Sequence, residues 1–384
     1  MVRVAAVVAA LLAVAAVPSA AGTSAGVGVE QRAWTVDLPG TDATFEQTLV
    51  FTRIDLPNLW GPLALRGYLP VATSRDDDLD AEISGVGDAQ LRLIWPALDT
   101  AWTLSFGADI PTGRTGLTTT EAHVAARMLG SRVLDFGLKR PGEGLDLMLG
   151  ASRAIRAGRT TVAGVALAGH FKGEYALYEE NGVERTASPG NRFHAALSLL
   201  AREHPDDPDW DLDLTLGGQW AGDYGLEAQN SEITVAEGAQ VTLDAGYRHR
   251  AGDDAHLSLT AHLLARGRNE VTGGSAIETE MLGLSTRWVT GLGLGYARAL
   301  PPLGDLSAGV SHALYRNDAT SDVNSRVTAL DLALRRALGE RLWVSASGEY
   351  AFGRTPWSAL DGSDAVDSRP LAGTTLGIGV ELAL

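Results

Sequence analysis

Serine, histidine and carboxylate side chains are the residues of this 384-residue chain that could carry out hydrolysis, because a serine or an acid needs a histidine beside it. The residues available for such a set are Ser152, Ser258, His262, Asp361, Asp364 and Asp367. The absence of cysteine excludes a thiol nucleophile. We therefore predict that the protein is not an enzyme, with a lipid or peptide hydrolase as the alternative.

The acidic residues and histidines do not have the spacing of a metal site. The acidic run Arg75–Glu82 fails as a calcium loop, because Ala81 stands where the loop needs glycine and Gly87 where it needs a bidentate glutamate. His256 and His262 share one face of a predicted strand but are separated by roughly 20 Å, too far to share a metal. We predict a solvated external loop at the acidic run, and neither a metal nor a cofactor.

The composition indicates an exported β protein. Hydrophobic residues make up 45% of the chain and charged residues 20%, and the formal net charge of −16 disfavours binding to nucleic acid. The 45 glycines are well above the usual share and suit a β protein rich in tight turns. Arg3, the apolar run Val4–Val17 and the small residues up to Ala21 have the order of a signal peptide. We predict a signal peptide at residues 1–21 and a single domain at residues 22–384.

Alternation of apolar and polar residues with a period of two dominates the predicted domain. In Trp210–Trp220 the even positions are apolar or glycine, with tryptophan at both ends, and the odd positions are polar or small. At about 3.3 Å per residue and about 40° of tilt, this segment spans about 25 Å, the height of the apolar band of an outer-membrane barrel. A soluble sandwich strand usually stops at about five or six residues. The pattern therefore predicts strands that cross a membrane.

The same alternation recurs along the chain. Further examples are Trp102–Ile110, Val241–Arg248, Ala255–Ala265, Leu342–Phe352 and Thr375–Leu384. We expect the last of these to pair with the first strand, because an open sheet edge in lipid leaves backbone groups unsatisfied. The fold class that we predict is all-β: a transmembrane antiparallel β-barrel of about sixteen strands, within a range of about 12 to 18.

Short and long connections take turns between the predicted strands, as expected for periplasmic turns and longer extracellular loops. The short connections are Pro96–Thr100, Ala157–Gly158, Glu203–Asp209, Arg250–Asp254, Pro301–Asp305 and Gly339–Glu340. The long connections are Thr73–Ser84, Tyr178–Gly190, Gly222–Ala239, Gly267–Glu280, Asn317–Ser325 and Gly353–Arg369. The stretch Thr112–Gly144 fits three alternatives: one long loop, two further strands at Glu121–Leu129 and Arg132–Arg140, or a short helix around Ala122–Leu129 folded into the lumen.

The polar face of the predicted strands carries charges of both signs. The predicted lumen-facing residues are Arg92, Asp109, Asp211, Asp213, Asp244, Arg248, His256, His262, Arg287, Asp331, Arg335, Glu349 and Glu381. The predicted aromatic girdle consists of Trp102, Trp210, Trp220 and Tyr350. Facing acids and arginines can set the ion selectivity of a lumen, and they can equally well satisfy one another in a polar interior.

Two short motifs resemble a known family. Gly85-Val86-Gly87-Asp88 opens one predicted strand, and Pro111-Thr112-Gly113 closes the strand after it. This pair is similar to the outer-membrane barrel family named for the meta-pathway of phenol degradation, with the detailed match over residues 85–175. The resemblance implies an outer-membrane barrel whose family is thought to transport aromatic or other hydrophobic compounds, and it brings no catalytic motif.

A barrel of about sixteen strands leaves interior room unless loops plug it. We therefore predict a passive transporter or porin-like channel for small, hydrophobic or aromatic solutes in the outer membrane of a Gram-negative bacterium. The alternatives are an outer-membrane hydrolase and a structural envelope barrel without transport. The expected partners are outer-membrane lipids and lipopolysaccharide, the barrel-assembly machinery during insertion and small-molecule solutes, with no nucleic acid.

Overall fold

The computed structural model describes residues 22–38, 41–97, 101–125, 128, 133–180, 183–206, 208–227, 232–273, 286–317, 325–356 and 368–384. The predicted signal peptide at residues 1–21 and the three late aspartates Asp361, Asp364 and Asp367 lie outside these ranges. Within the described ranges, no helix has both the length and the apolar character needed to cross a bilayer.

The described chain is almost entirely β-structure. In chain order its elements are β1 (Ser24–Leu38), β2 (Thr41–Trp60), β3 (Leu63–Asp76), β4 (Ala81–Val86), β5 (Ala89–Pro96), β6 (Trp102–Ile110), β7 (Leu117–Thr118), α1 (Thr119–Val124), β8 (Asp146–Arg156), β9 (Thr161–Lys172), β10 (Tyr175–Glu180), β11 (Val183–Ser188), β12 (Arg192–Arg202), β13 (Trp210–Ala221), β14 (Asp223–Glu227), β15 (Glu232–Ala236), β16 (Gln240–Gly252), β17 (Ala255–Arg266), β18 (Glu270–Thr272), β19 (Thr286–Leu300), β20 (Gly304–Asn317), β21 (Ser325–Ala337), β22 (Leu342–Pro356) and β23 (Ser368–Ala383).

Sixteen antiparallel strands form a closed barrel, in which β4 and β5 are two parts of one wall strand because both pair with β3. Strands that follow one another in the wall are paired throughout, and β1 closes the ring against β23 from Ser24↔Ala383 to Val36↔Leu371. The predicted fold class and strand number are therefore confirmed. Closure gives the first and last strands partners, which strands surrounded by lipid require.

Successive side chains of each strand point to opposite faces of the wall. The outer face carries a belt of large aliphatic side chains, such as Leu167, Leu292 and Ile378, whose surfaces are 60%, 59% and 65% exposed. The inner face is polar or small over most of the same strands. An apolar belt of this extent exceeds what soluble monomers expose, so hydrocarbon is the environment that the outer face fits.

A second sheet stands at the end of the barrel opposite the short turns. Its strand order is β18-β15-β14-β11-β10-β7. Most of its strands are separated in sequence from a neighbouring wall strand by only a few residues. Three segments predicted as long loops therefore contain strand residues of this sheet: Tyr178–Gly190, Gly222–Ala239 and Gly267–Glu280. In a fourth, Thr73–Ser84, the two ends belong to the wall strands β3 and β4. The acidic run forms a tight turn between β3 and β4 that is largely exposed, in agreement with the predicted solvated loop, whereas Asp76 and Ala81 within it are buried.

Glycines make the close approaches at two joints between the barrel and the second sheet. A Cβ atom on Gly190 would lie 2.1 Å from the carbonyl oxygen of Gly222, and one on Gly238 would lie 2.2 Å from that of Gly267. Any side chain at these two positions would collide with backbone. The second sheet can therefore turn away from the line of the barrel wall at these points.

Candidate functional site

The inner face of the barrel holds the predicted lumen residues. The ladder registers place every one of them at an inward position except Arg287, whose side chain lies outside the described part of the structure. Trp102, Trp210, Trp220 and Tyr350 occupy the outer face, the first two near the short turns and the other two nearer the opposite end. Their role as an aromatic girdle stays a prediction.

Several inward charges are paired across neighbouring strands. Asp109 lies 2.8 Å from Arg92, measured between Oδ1 and Nη1, and Asp211 accepts two hydrogen bonds from the guanidinium of Arg248. The Nδ1 atom of His262 lies within hydrogen-bond distance of an Asp244 oxygen. The two arginine–aspartate pairs cancel in charge, so they do not by themselves impose a net charge on the lumen.

One inward cluster brings together groups of the metal-binding type. Single ligand atoms of Asp109, Asp146 and His170 all lie within 4.8 Å of one another. However, the Nζ atom of Lys172 donates to Asp146 at 2.7 Å, and the Arg92 guanidinium contacts Asp109. Because these cations occupy the carboxylate oxygens that a metal would need, we interpret the cluster as an ion-pair network across β6, β8 and β9.

The serines and histidine considered for hydrolysis are not brought together. Ser258 and His262 both point inward from β17, but four strand residues separate them by about 13 Å. His262 contacts Asp244, while Ser258 stands opposite Arg248. Ser152 points inward from β8, on a different part of the wall. The described residues therefore place no serine of this group beside the histidine.

The segment between β6 and β8 folds inside the barrel and is called the plug here (described residues 111–125, 128 and 133–145). It contains α1, so the third sequence alternative, a short helix folded into the lumen, is correct, although the helix is Thr119–Val124. Its buried apolar residues are Leu117, Val124, Met128, Leu134 and Phe136. They pack against inward residues of β1, β2, β4, β21, β22 and β23, namely Trp34, Val36, Ala43, Phe45, Ala81, Ile83, Val327, Ala351 and Leu371. One arc of the lumen is therefore filled by an apolar core.

Asp88 fixes both ends of the plug at a single point of the wall. Its Oδ1 accepts the backbone N–H of Gly113 at 3.0 Å, and its Oδ2 accepts that of Glu143 at 2.7 Å. Thr112 bridges the same point, since its hydroxyl donates to the carbonyl oxygen of Gly87 at 2.8 Å and accepts the N–H of Ala89 at 3.0 Å. The Gly-x-Gly-Asp and Pro-Thr-Gly motifs therefore meet in space, and together they form the base of the plug.

The two backbone segments at this base are in unusually close contact. A Cβ atom on Gly113 would lie 1.9 Å from the carbonyl oxygen of Pro141. No side chain fits in that space, so glycine is required there. This contact explains in physical terms why the Pro-Thr-Gly motif ends in glycine.

Polar side chains also hold the plug at points away from its base at Asp88. Gln47, 1% exposed, donates from Nε2 to the Leu138 carbonyl at 2.8 Å and accepts the Leu138 N–H at 3.1 Å. Arg32 contacts Asp135 of the plug at 3.3 Å. Arg140 of the plug donates to the carbonyl oxygens of Thr115, Ala176 and Leu177. The plug is thus bound to the barrel by hydrogen bonds as well as by apolar packing.

A capping box begins α1. The N–H of Glu121 donates to the Thr118 hydroxyl, and the Glu121 carboxylate accepts the N–H of Thr118 at 2.8 Å. Burial disfavours the Glu121 carboxylate, but the Thr118 N–H and the Arg114 guanidinium outweigh it, so the pKa of Glu121 falls below its ordinary value. This Thr-x-x-Glu spacing is visible in the sequence and was the signal that could have located the helix start.

We expect α1 to lose protection at acid pH. Because the pKa of Glu121 is lowered by folding, the stability that its carboxylate contributes is present above the ordinary value of 4.5 and is lost as the pH falls through the folded value. Hydrogen exchange of the Leu117–Val124 amides, normalised to intrinsic rates at each pH, measures this loss. Glu121→Gln should show lower protection at neutral pH and little further change on acidification. An equal loss of amide protection on acidification in wild type and Glu121→Gln would contradict the role given to the Glu121 carboxylate.

Closed strand pairing and the apolar outer belt define the class: this protein is an outer-membrane β-barrel. That its short turns face the periplasm stays a prediction. No protein-family model matches the chain, and no curated protein does.

Solved structures of outer-membrane proteins do match. OprB of Pseudomonas putida is 10% identical with a TM-score of 0.47, and the match covers 97% of this chain and 96% of that chain. A FadL homologue of Pseudomonas aeruginosa is 11% identical with a TM-score of 0.46, covering 97% and 92%. The toluene transporter TodX of Pseudomonas putida is 11% identical with a TM-score of 0.43, covering 97% and 93%. We base the function below on this chain's own geometry.

Proposed function

We propose that the protein is a passive outer-membrane channel for small solutes, with its passage between the plug and the opposite wall. Among the described residues, the apolar core that includes the plug takes no side chain from β9, β12, β13, β16, β17 or β19. The plug therefore fills one side of the lumen, and the remaining arc is where solutes would pass.

Small residues occupy many inward positions of this remaining arc, between charged pairs such as Asp211–Arg248 and Asp244–His262. The small residues include Ala166, Ala168, Ala196, Ser198, Thr215, Gly217, Thr242, Gly246, Ser258, Thr260, Gly293 and Gly295. A sixteen-stranded wall encloses enough width for an aqueous channel when its inner side chains do not fill it. This set of small inward residues is the single observation that carries the proposal.

The same geometry favours a channel over an enzyme. Ser258 and His262 are four residues apart on β17, too far for a hydrogen bond. Asp109, Asp146 and Asp211 contact the side chains of arginine or lysine. We infer that the protein has no hydrolytic activity. The predicted cargo of hydrophobic or aromatic molecules, the lipid and assembly partners and the signal peptide all stay predictions.

Single-channel recording of the full refolded chain in a planar bilayer tests the proposal. We expect discrete conductance steps in wild type and a smaller step in Ser198→Trp, because Ser198 points into the proposed passage. Leu197→Trp is the matched control, since Leu197 is 59% exposed on the outer face and tryptophan is tolerated by lipid.

Folded, inserted protein that conducts no ions would instead support a structural envelope barrel. An equal reduction by Ser198→Trp and Leu197→Trp would place the passage elsewhere. Either result would overturn the proposal as stated.

A further inference from the structure

A cavity lies beneath the plug, at the end of the barrel that carries the short turns. Its volume is about 590 Å³, and its lining comes from β1, β2, β3, β21, β22 and β23. The plug core closes the same arc of the lumen above it. This size is within the usual range of pockets for small molecules, about 300–1,000 Å³.

Three arginines and two carboxylates line this cavity, so positive charge exceeds negative charge by one. Arg53 and Arg335 both contact one oxygen of Glu381, at 2.6 Å and 3.3 Å. Arg66 lies 3.3 Å from Asp55. More than half of the surface of each arginine side chain is exposed, so their remaining donors are open to a solute. This local excess contrasts with the acidic character of the whole chain.

Aromatic rings form the apolar part of the same lining. The Arg335 guanidinium lies over the Trp343 ring, 4.6 Å from its centroid. Phe51 lies flat along the wall, since a Cβ atom on Gly28 would come within 2.3 Å of its ring. Gly26 gives similar room to Arg53, at 3.1 Å from Nε. The glycines thus allow both side chains to lie along the wall.

We propose that this cavity binds small organic carboxylates with a flat apolar body. The carboxylate accepts hydrogen bonds from the forked guanidinium groups of Arg53 and Arg335, which match its geometry. The body lies against the rings of Phe51 and Trp343. The site deepens the proposed function and rests on it, because it assigns a solute class to the channel.

Calorimetric titration of the full refolded protein in detergent tests the site, with sodium benzoate as the probe. Acetate lacks the flat body and benzyl alcohol lacks the charge, so both should bind more weakly than benzoate. Arg335→Gln should weaken benzoate binding by about tenfold through loss of a charge-assisted hydrogen bond. Glu381→Gln should tighten it, because the competing carboxylate is removed. Arg336→Gln is the matched control, since Arg336 is exposed on the outer face one residue away.

Benzoate affinity that is the same in wild type, Arg335→Gln and Glu381→Gln would overturn the site. Equal affinity for benzoate and benzyl alcohol would do so too. If Arg335→Gln fails to fold, Glu381→Gln still decides, because it predicts a change in the opposite direction. Benzoate binding without conductance would support the carboxylate site and contradict the channel. Conductance without benzoate binding would support the channel and contradict the carboxylate site.

Discussion

Replacing Leu259 with arginine is expected to destabilise the folded barrel in a bilayer by about 2–4 kcal/mol, the cost of a cation at the membrane midplane. Leu259 lies near the middle of β17, 51% exposed on the outer face, between Tyr247 of β16 and Leu294 of β19. Hydrocarbon offers the arginine no hydrogen-bond acceptors at that depth. Urea unfolding in lipid vesicles, followed by the gel mobility of the folded form, measures the cost.

Thr260→Arg supplies the matched control one residue along the same strand. Thr260 points inward beside Gly246 and Gly293, where the arginine can reach solvent. We expect this change to cost much less than Leu259→Arg. Equal costs at the two positions would mean that the outer face is not in contact with lipid, and the membrane assignment would fail.

Two charges placed in the plug core should open the lumen. Val124 and Leu134 are both completely buried, so Val124→Asp combined with Leu134→Asp would bury two carboxylates without partners. Each costs several kcal/mol, which the plug cannot recover by repacking. The wall is held by its own main-chain hydrogen bonds and should remain folded. Single-channel recording should therefore show a larger conductance step than in wild type.

A charge-matched variant separates plug displacement from electrostatic effects. Thr120 and Gly116 are exposed, and a Cβ atom on Gly116 would meet nothing within 4 Å. Thr120→Asp combined with Gly116→Asp should leave the step size near that of wild type. A larger step in both double variants would show that added negative charge alone explains the increase. An unchanged step in the core variant would show that the plug does not limit the passage.

The membrane-spanning part of the fold could be predicted because lipid enforces a strict alternation. Trp210–Trp220 has one apolar face and one polar face, and the structure places those faces outside and inside the barrel. The second sheet could not be predicted in this way. β14 and β15 are only five residues long. Although Tyr224, Leu226, Ile233 and Val235 alternate with polar residues or glycine, runs this short within polar segments were interpreted as loops. Gly190 and Gly238, which make the close approaches at the joints, were interpreted only as parts of loops.

The candidate site was predictable in part for the same reason. Arg335 and Glu381 lie on strands with clear alternation, so their inward direction followed from the pattern. Arg53, Arg66 and Trp343 also line the cavity beneath the plug but were not among the predicted lumen residues. The pairing of the first and last strands was expected from barrel closure, but the register that brings Arg53 to Glu381, 328 positions later, is carried by no local pattern.

Asp88 holds the start and the end of the plug through its two carboxylate oxygens. The inserted segment therefore leaves and rejoins the wall at one place, and the pairing of β6 with β8 does not depend on how long that segment is. Doubling the number of residues in such an insert raises its closure cost by only about 0.6 kcal/mol. The plug can thus be exchanged, lengthened or given a new composition while the sixteen wall strands around it keep their order.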